Sequence, residues 1–382
     1  MFKEVYCTMF RGGTSKGLFF LKSDLPGDQE LWPEMLLSLM GSPDRLQIDG
    51  LGGAVATSSK VAIVSKAENA DFDVDYLFAQ VAVDKPIVSY KGNCGNMCSA
   101  VGPFAIEAGL VKATDPVTTV RIHNVNTGKI IYAYVPTRDG KVLYEGDFEI
   151  AGVPDSSACI KMAFKDPSGS VTGQLLPTGN PVDTITIPDF GPIEVSFVDS
   201  SNPLAFIRAA DIGMKGYELP DEIDSNSELM ALLEKIRGIA AVKLGFITDY
   251  NDSRTKSPTV PKLAMISEVK QYITANGKET APEDYDILCR MMSMQKTHKN
   301  YALTGAMCTA SAAVIEGTIV NQAVKSGFDP EKLLIGHPGG VMQAGVKHEI
   351  QPDGSAAVSW AIGYRTARML MRGTAFYRTG EK

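Results

Sequence analysis

Three segments from the first half of the chain recur in the same order in the second half, which constrains the fold more than any other feature. Cys98-Ser-Ala through Ile106-Glu-Ala-Gly109 matches Cys308-Thr-Ala-Ser-Ala-Ala-Val-Ile-Glu316-Gly317 with one gap. Ser59-Lys60-Val-Ala-Ile-Val-Ser65 is echoed by Pro261-Lys262-Leu-Ala-Met-Ile-Ser267, and Phe20-Leu-Lys-Ser-Asp-Leu25 by Phe206-Ile-Arg-Ala-Ala-Asp-Ile212. Ordered self-similarity marks a repeated unit. The offsets of 186, 202 and 210 residues imply insertions between the repeated pieces. A chain of 382 residues is long enough for two ordinary cores.

Strand-like segments dominate the pattern. Val5 to Phe10, Gly17 to Leu21, Ser59 to Ser65, Tyr76 to Val83, Thr119 to His123 and Ile130 to Val135 alternate or carry β-branched and aromatic residues between Gly, Pro and Asp. Helices are predicted at Asp28 to Met40, Cys98 to Ala108, Ser225 to Arg237, Pro282 to Gln295, Cys308 to Glu316 and Ala361 to Met371. The repeated Ala-rich helices are apolar on every face, so each must be buried. The predicted fold class is α+β: two pseudo-symmetric domains, each a mixed, mostly antiparallel sheet wrapped around a central buried helix. The expected domains are residues 1–185 and 186–364, with a C-terminal segment of about 365–382 packing back on the first.

Hydrophobic residues make up 44% and charged residues 21%, the balance of a soluble globular protein, and the net charge of -7 argues against nucleic-acid binding. The longest uncharged candidate, Tyr301 to Ile315, is 15 residues and too short to span a bilayer, so no membrane role is expected. Met-Phe-Lys-Glu-Val-Tyr at the start lacks an apolar signal core, which predicts a cytoplasmic protein. The six cysteines are then kept reduced, with Cys7 and Cys289 read as core packing. Cys94 and Cys98 have no matching ligand pair, and no G-x-G-x-x-G follows a strand, so neither a metal nor a cofactor is expected. The oligomeric state is left open, a homodimer being one option.

Lys91-Gly-Asn-Cys-Gly-Asn-Met-Cys98 runs directly into the first Ala-rich segment. A helix starting just after Cys94 would leave unpaired N–H groups beside the sulfur, favouring thiolate and welcoming carboxylates. Thr14 and Ser15 lie in a Gly-flanked turn between strands, and Asn202 occupies the corresponding turn of the second half. With Lys262, His337 and Cys308 these are candidate carboxylate holders, and for each of them plain turn chemistry or a solvated charge explains the residue at least as well.

The chain resembles the PrpF family of isomerases, which act on 2-methylaconitate, methylitaconate and oxalomesaconate and have the diaminopimelate-epimerase fold. The landmarks are Arg11-Gly-Gly-Thr-Ser-Lys-Gly17, Gln47-Ile-Asp-Gly-Leu-Gly-Gly-Ala54, Ser58-Ser-Lys60, Gly92-Asn-Cys-Gly-Asn96, Leu176-Pro-Thr-Gly-Asn180, Val198-Asp-Ser-Ser-Asn-Pro203 and Gly336-His-Pro-Gly-Gly340. The resemblance implies that Lys60 is the acid/base residue and that Cys94 faces it across a small polycarboxylate substrate. A lysine serves as a base near neutral pH only where burial and nearby positive charge bring it down from about 10.4. Moving a C=C bond in such a substrate proceeds through a dienolate. Backbone N–H groups from Asn93, Gly95 and Asn96, and from the start of the Cys308 helix, would stabilise its charge.

Two other classes compete. A two-thiol amino-acid racemase would use Cys94 and Cys308 equally and dispense with Lys60. A non-catalytic accessory protein of a dehydratase would turn over nothing.

Overall fold

The computed structural model describes residues 2–90, 94–293, 295–352 and 354–380. The chain forms two compact units, Met1–Ala163 with Tyr364–Lys382, and Phe164–Gly363.

The first unit contains β1 (Phe2–Gly12), β2 (Ser15–Leu21), α1 (Trp32–Met40), β3 (Lys60–Lys66), β4 (Val74–Val81) and β5 (Val88–Ser89). After these come α2 (Gly95–Cys98), α3 (Val101–Glu107), β6 (Val117–Asn124), β7 (Lys129–Arg138), β8 (Lys141–Val142) and β9 (Ile160–Lys165). Pairing is antiparallel for β1–β2, parallel for β2–β3, antiparallel for β3–β4, parallel for β4–β6 and antiparallel for β6–β7. Each parallel step needs a crossover. Helix α1 supplies the first, and α2 with α3 supplies the second.

Alternation along the strands sends these helices to opposite faces. Leu18, Phe20, Val61 and Ile63 pack with Trp32, Met35, Leu36 and Leu39 of α1. Phe19 and Phe10 point the other way and meet Phe104 of α3, with ring centroids 5.5 and 6.3 Å apart. Close seating of α3 depends on Gly102, where a Cβ would lie 2.8 Å from Val135 Cγ2 and 3.0 Å from the Ala133 Cβ.

The second unit begins with β10 (Asp183–Ile187), β11 (Gly191–Asp199), β12 (Pro203–Arg208), α4 (Pro220–Ser225), α5 (Ser227–Lys243) and α6 (Ser253–Lys256). It continues with β13 (Lys262–Ser267), β14 (Tyr272–Ile273), β15 (Glu279–Thr280), β16 (Ile287–Ser293), β17 (Lys296–Thr297), α7 (Leu303–Ala313) and α8 (Ile319–Ala323). Its last strands are β18 (Leu333–His337), β19 (Gly340–Ile350) and β20 (Ala356–Arg365), whereas β21 (Ala367–Arg378) belongs to the first unit and pairs with β1 from Gly12↔Ala367 to Phe2↔Arg378.

Its pairing repeats that of the first unit step for step. β11–β12 is antiparallel, β12–β13 parallel, β13–β16 antiparallel, β16–β18 parallel and β18–β19 antiparallel. Lys60 opens β3 opposite Gly17, and Lys262 opens β13 opposite Leu204, so the sequence echo is also a topological one. Helix α5 packs Leu233, Ile236 and Ala240 with Leu263 and Met265. Helix α7, buried along its length except at Thr304, is enclosed by Val198, Leu204, Phe206, Ala264, Ile287, Met291, Ile335 and Val346. This is the α+β arrangement of a sheet wrapped about a central helix.

Three predicted helices differ. Pro282 to Gln295 is largely strand β16, whose Ile287, Leu288, Cys289, Arg290 and Met291 are buried on both faces, so the alternation that betrays a strand is missing. Ala361 to Met371 forms the end of β20 and the start of β21, where ladder pairing with β1 overrides the helical preference of Ala, Leu and Met. The predicted helix from Cys98 to Ala108 is two short pieces, α2 and α3. Pro103 cannot donate to the Ser99 carbonyl and its ring crowds that group, so the run breaks there. Cys7 and Cys289 are buried, and burial pushes their thiols up to about 11 and about 12. No helix among the described residues is long and apolar enough to cross a membrane.

Candidate active site

Lys60 stands where three elements of the first unit meet. Its parallel neighbour is Gly17 of β2, and helix α2 rests on β1, β2 and β3. A Cβ on Gly17 would fall 2.2 Å from the Lys60 carbonyl oxygen and 2.7 Å from Met97 Cε. Only glycine lets α2 seat there. Lys60 and the segment that follows Cys94 are thereby fixed to the same point of the sheet.

The Lys60 amine is half-buried and lies over the Phe78 ring, 5.3 Å from its centroid. It donates to Gln80 Oε1, across the β3–β4 pair in which Lys60 faces Gln80. The Gln80 amide is itself oriented, with Nε2 donating to the Ser59 carbonyl at 2.9 Å and the Ala56 carbonyl at 3.2 Å. Ser59 is held by Gln47, whose Nε2 donates to Ser59 Oγ at 2.8 Å and whose Oε1 accepts from the Ala54 N–H at 2.9 Å. The hydrogen-bond partner of the amine is thus a neutral amide. Gln80→Leu is expected to lower kcat roughly tenfold or more with little change in KM, since one hydrogen bond to a charged group contributes about 1.5–3 kcal/mol. Steady-state kinetics on the purified variant measures this.

Cys94 is half-buried and is the residue that caps the start of α2. Its neighbourhood is tied together by Asn96, whose Nδ2 donates to Thr14 Oγ1 at 2.9 Å and lies 3.5 Å from Ser15 Oγ. On its other side Asn96 Oδ1 accepts from Arg365 Nε at 3.2 Å. The turn carrying Thr14 and Ser15 is pressed against this helix, for a Cβ on Gly12 would meet the Asn96 carbonyl oxygen at 2.3 Å. Arg11 fastens the turn from behind, donating from Nη1 to the Gly13 carbonyl at 3.0 Å and the Thr366 carbonyl at 3.1 Å.

Arg365, at the end of β20, is 6% exposed. Burial pushes its guanidinium down to about 10, and the nearby Cys94 sulfur acts in the opposite direction. Tyr76 of β4 is fully buried, and its hydroxyl has no partner among the described residues. Burial raises this phenol well above its ordinary value, with Cys98 and Cys94 adding to the effect. Lys16 extends toward the loop before Lys60, its Nζ lying 3.5 Å from where a Gly53 Cβ would be.

Of the predicted site residues, Thr14, Ser15, Lys60, Cys94, Gly95 and Asn96 therefore belong to one connected part of the first unit. Asn93 lies outside the described residues. Asn202, Lys262, Cys308 and His337 belong to the second unit. Asn202 occupies the β11–β12 turn beside Ser201, whose φ is 63°. The Lys262 amine is lowered by burial and then by the charge of Arg237. His337 is buried at the end of β18, where its Nδ1 accepts from the Gly339 N–H at 3.1 Å; the sequence had placed it in a loop. Cys308 lies in the middle of α7 instead of at its start, fully buried, with Sγ donating to the Val198 carbonyl at 3.3 Å. Burial raises that thiol strongly.

Sequence reasoning missed Gln80, Tyr76 and Arg365. Gln80 was within reach, because it stands opposite Lys60 in a simple antiparallel pair. Arg365 was not, since its partner Asn96 is 269 positions away.

The family model described as "PrpF protein" matches residues 2–378. The chain belongs to the PrpF family. Among PrpF relatives it is 45% identical to the 3-methylitaconate isomerase of Eubacterium barkeri, over 98% of this chain and 97% of that one. It is 41% identical to the 2-methyl-aconitate isomerase of Shewanella oneidensis, over 97% and 96% of the two chains. The crystal structure of a methylitaconate-delta-isomerase superimposes on it with a TM-score of 0.89 at 44% identity, covering 98% of this chain and 96% of that one. The PrpF fold is thus the fold of the whole chain.

Proposed function

We propose that this PrpF protein moves or rotates the C=C bond of a small unsaturated di- or tricarboxylate, with Lys60 and Cys94 as its proton-transferring pair. The substrate would be of the kind named for its relatives, 2-methylaconitate or methylitaconate. The observation that carries the reading is the meeting of Lys60 and the helix that follows Cys94 at Gly17, with the Arg365 guanidinium bonded to Asn96 of that helix.

In the proposed reaction one of the pair takes a proton from a C–H conjugated with a carboxylate. Its electron pair spreads through the diene onto carboxylate oxygens, and the other residue returns a proton to the same or a different carbon. While the charge is delocalised the former double bond has reduced order, so both positional and cis-trans outcomes are accessible. The sum is redox-neutral, and the two side chains suffice to balance the protons. Cationic side chains at Lys16 and Arg365 suit an anionic substrate in a chain whose net charge is -7. A cytosolic setting accompanies this reading, in keeping with six free cysteines.

The racemase alternative needs Cys308 as a working thiol. Its complete burial and its bond to the Val198 carbonyl disfavour that role. Incubating the purified protein with 2-methylaconitate, methylitaconate and trans-aconitate in D2O tests the reading. Deuterium is expected to enter at least one of them with isomerisation. Absence of both exchange and isomerisation across the panel would overturn the proposal.

A further inference from the structure

Arg365 holds a charge that the fold does not neutralise. Its side chain is buried, yet among the described residues no carboxylate pairs with it. Nε is used on Asn96 Oδ1 at 3.2 Å and Nη1 on the Tyr364 carbonyl at 2.8 Å, both neutral acceptors. Among the described residues Nη2 has no hydrogen-bond partner, and it is not fully enclosed. A buried guanidinium cannot shed its charge as a lysine can, so leaving it without a carboxylate carries a desolvation cost that an anionic ligand would offset. Through Asn96 the same network reaches the Thr14 and Ser15 hydroxyls, and Ser15 is itself buried. One planar cation and two hydroxyls thus surround the start of the helix that carries Cys94, a donor set matching the two oxygens of a carboxylate.

We infer that Arg365 is a substrate-binding residue that receives one carboxylate of the polyacid, with Asn96 as the positioning residue that aims it. The assignment rests on the isomerase reading, and it fixes which end of the substrate lies against Cys94. Binding to Arg365 orients the reacting carbon toward the thiol and draws dienolate charge onto the carboxylate that the guanidinium holds.

The test is binding of methylsuccinate, an unreactive dicarboxylate, compared with 2-methylbutanoate, which lacks one carboxylate, by calorimetry on the full-length protein. Wild type is expected to favour methylsuccinate by at least tenfold. Arg365→Met is expected to weaken methylsuccinate at least tenfold and to bring the two ligands within about threefold of each other. Arg365→Lys keeps the charge without the fork, guarding against a simple folding failure. It is expected to fall between wild type and Arg365→Met in methylsuccinate affinity, and to raise KM more than it lowers kcat. A residue with a merely structural role would lower stability and kcat while leaving the ligand preference intact. Unchanged preference in both variants overturns the inference. Because these ligands do not react, an enzyme inert toward every unsaturated acid would sink the isomerase reading while leaving the Arg365 measurement decisive on its own terms.

Discussion

Lys60→Ala is expected to lower kcat about a thousandfold, in the middle of the 10²–10⁴ range that a positioned proton-transfer group contributes. The side chain leaves an open β-strand position whose backbone stays paired with Gly17 and Gln80, so the fold should survive. Affinity for a saturated dicarboxylate should change by no more than a few-fold. Cys94→Ser keeps the shape and removes the thiol acidity, and it is expected to cost about a hundredfold or more. The two variants also separate the roles. If Lys60 removes the first proton, the Cys94→Ser enzyme should still wash deuterium from D2O into the donor carbon while failing to isomerise. Lys60→Ala should do neither. Wild-type exchange in Lys60→Ala would place the base elsewhere.

Gly17→Ala should be strongly damaging. The new Cβ would overlap the Lys60 carbonyl oxygen and Met97 Cε, and neither the strand nor α2 has room to yield alone. Overpacking of this kind costs about 1–3 kcal/mol. The displacement would also separate Lys60 from the helix that follows Cys94, so kcat should fall by at least tenfold beyond any loss of folded protein. Gly27→Ala is the natural comparison, since nothing lies within 4 Å of the added methyl there. Urea unfolding should move its midpoint little, while that of Gly17→Ala falls clearly. Equal midpoints for the two variants would mean that the close approach at Gly17 is not maintained in solution.

Much of this organisation was legible in the chain because it is local or repeated. The echo between Ser59-Lys60 and Pro261-Lys262 reappears as two strands that open at the same step of the same pairing order. The Ala-rich segments announced buried helices because a helix without a polar face has nowhere to go but inside. The glycines of Arg11-Gly-Gly-Thr-Ser-Lys-Gly17 marked a turn between strands, and the structure adds the close approach of Asn96 to Gly12 and of Met97 to Gly17.

Other features were decided only by packing between distant parts. The run Ile287 to Met292 reads as a helix until it is seen buried on both faces of a sheet. Cys308 matches Cys98 in the sequence echo, yet the enclosure of α7 makes it a fully buried thiol bonded to Val198. The sharpest case is Arg365, an ordinary residue in the tail of the chain until β20 delivers it to Asn96, two residues on from Cys94. Sequence alone determined the duplicated plan and the sheet-and-helix class, because periodicity and motif spacing are properties of neighbouring residues, and the family resemblance pointed to Lys60 and Cys94 as the proposed proton-transferring side chains. Tertiary structure decided which cations, amides and phenols surround those side chains, because the contacts join residues hundreds of positions apart and leave no local pattern.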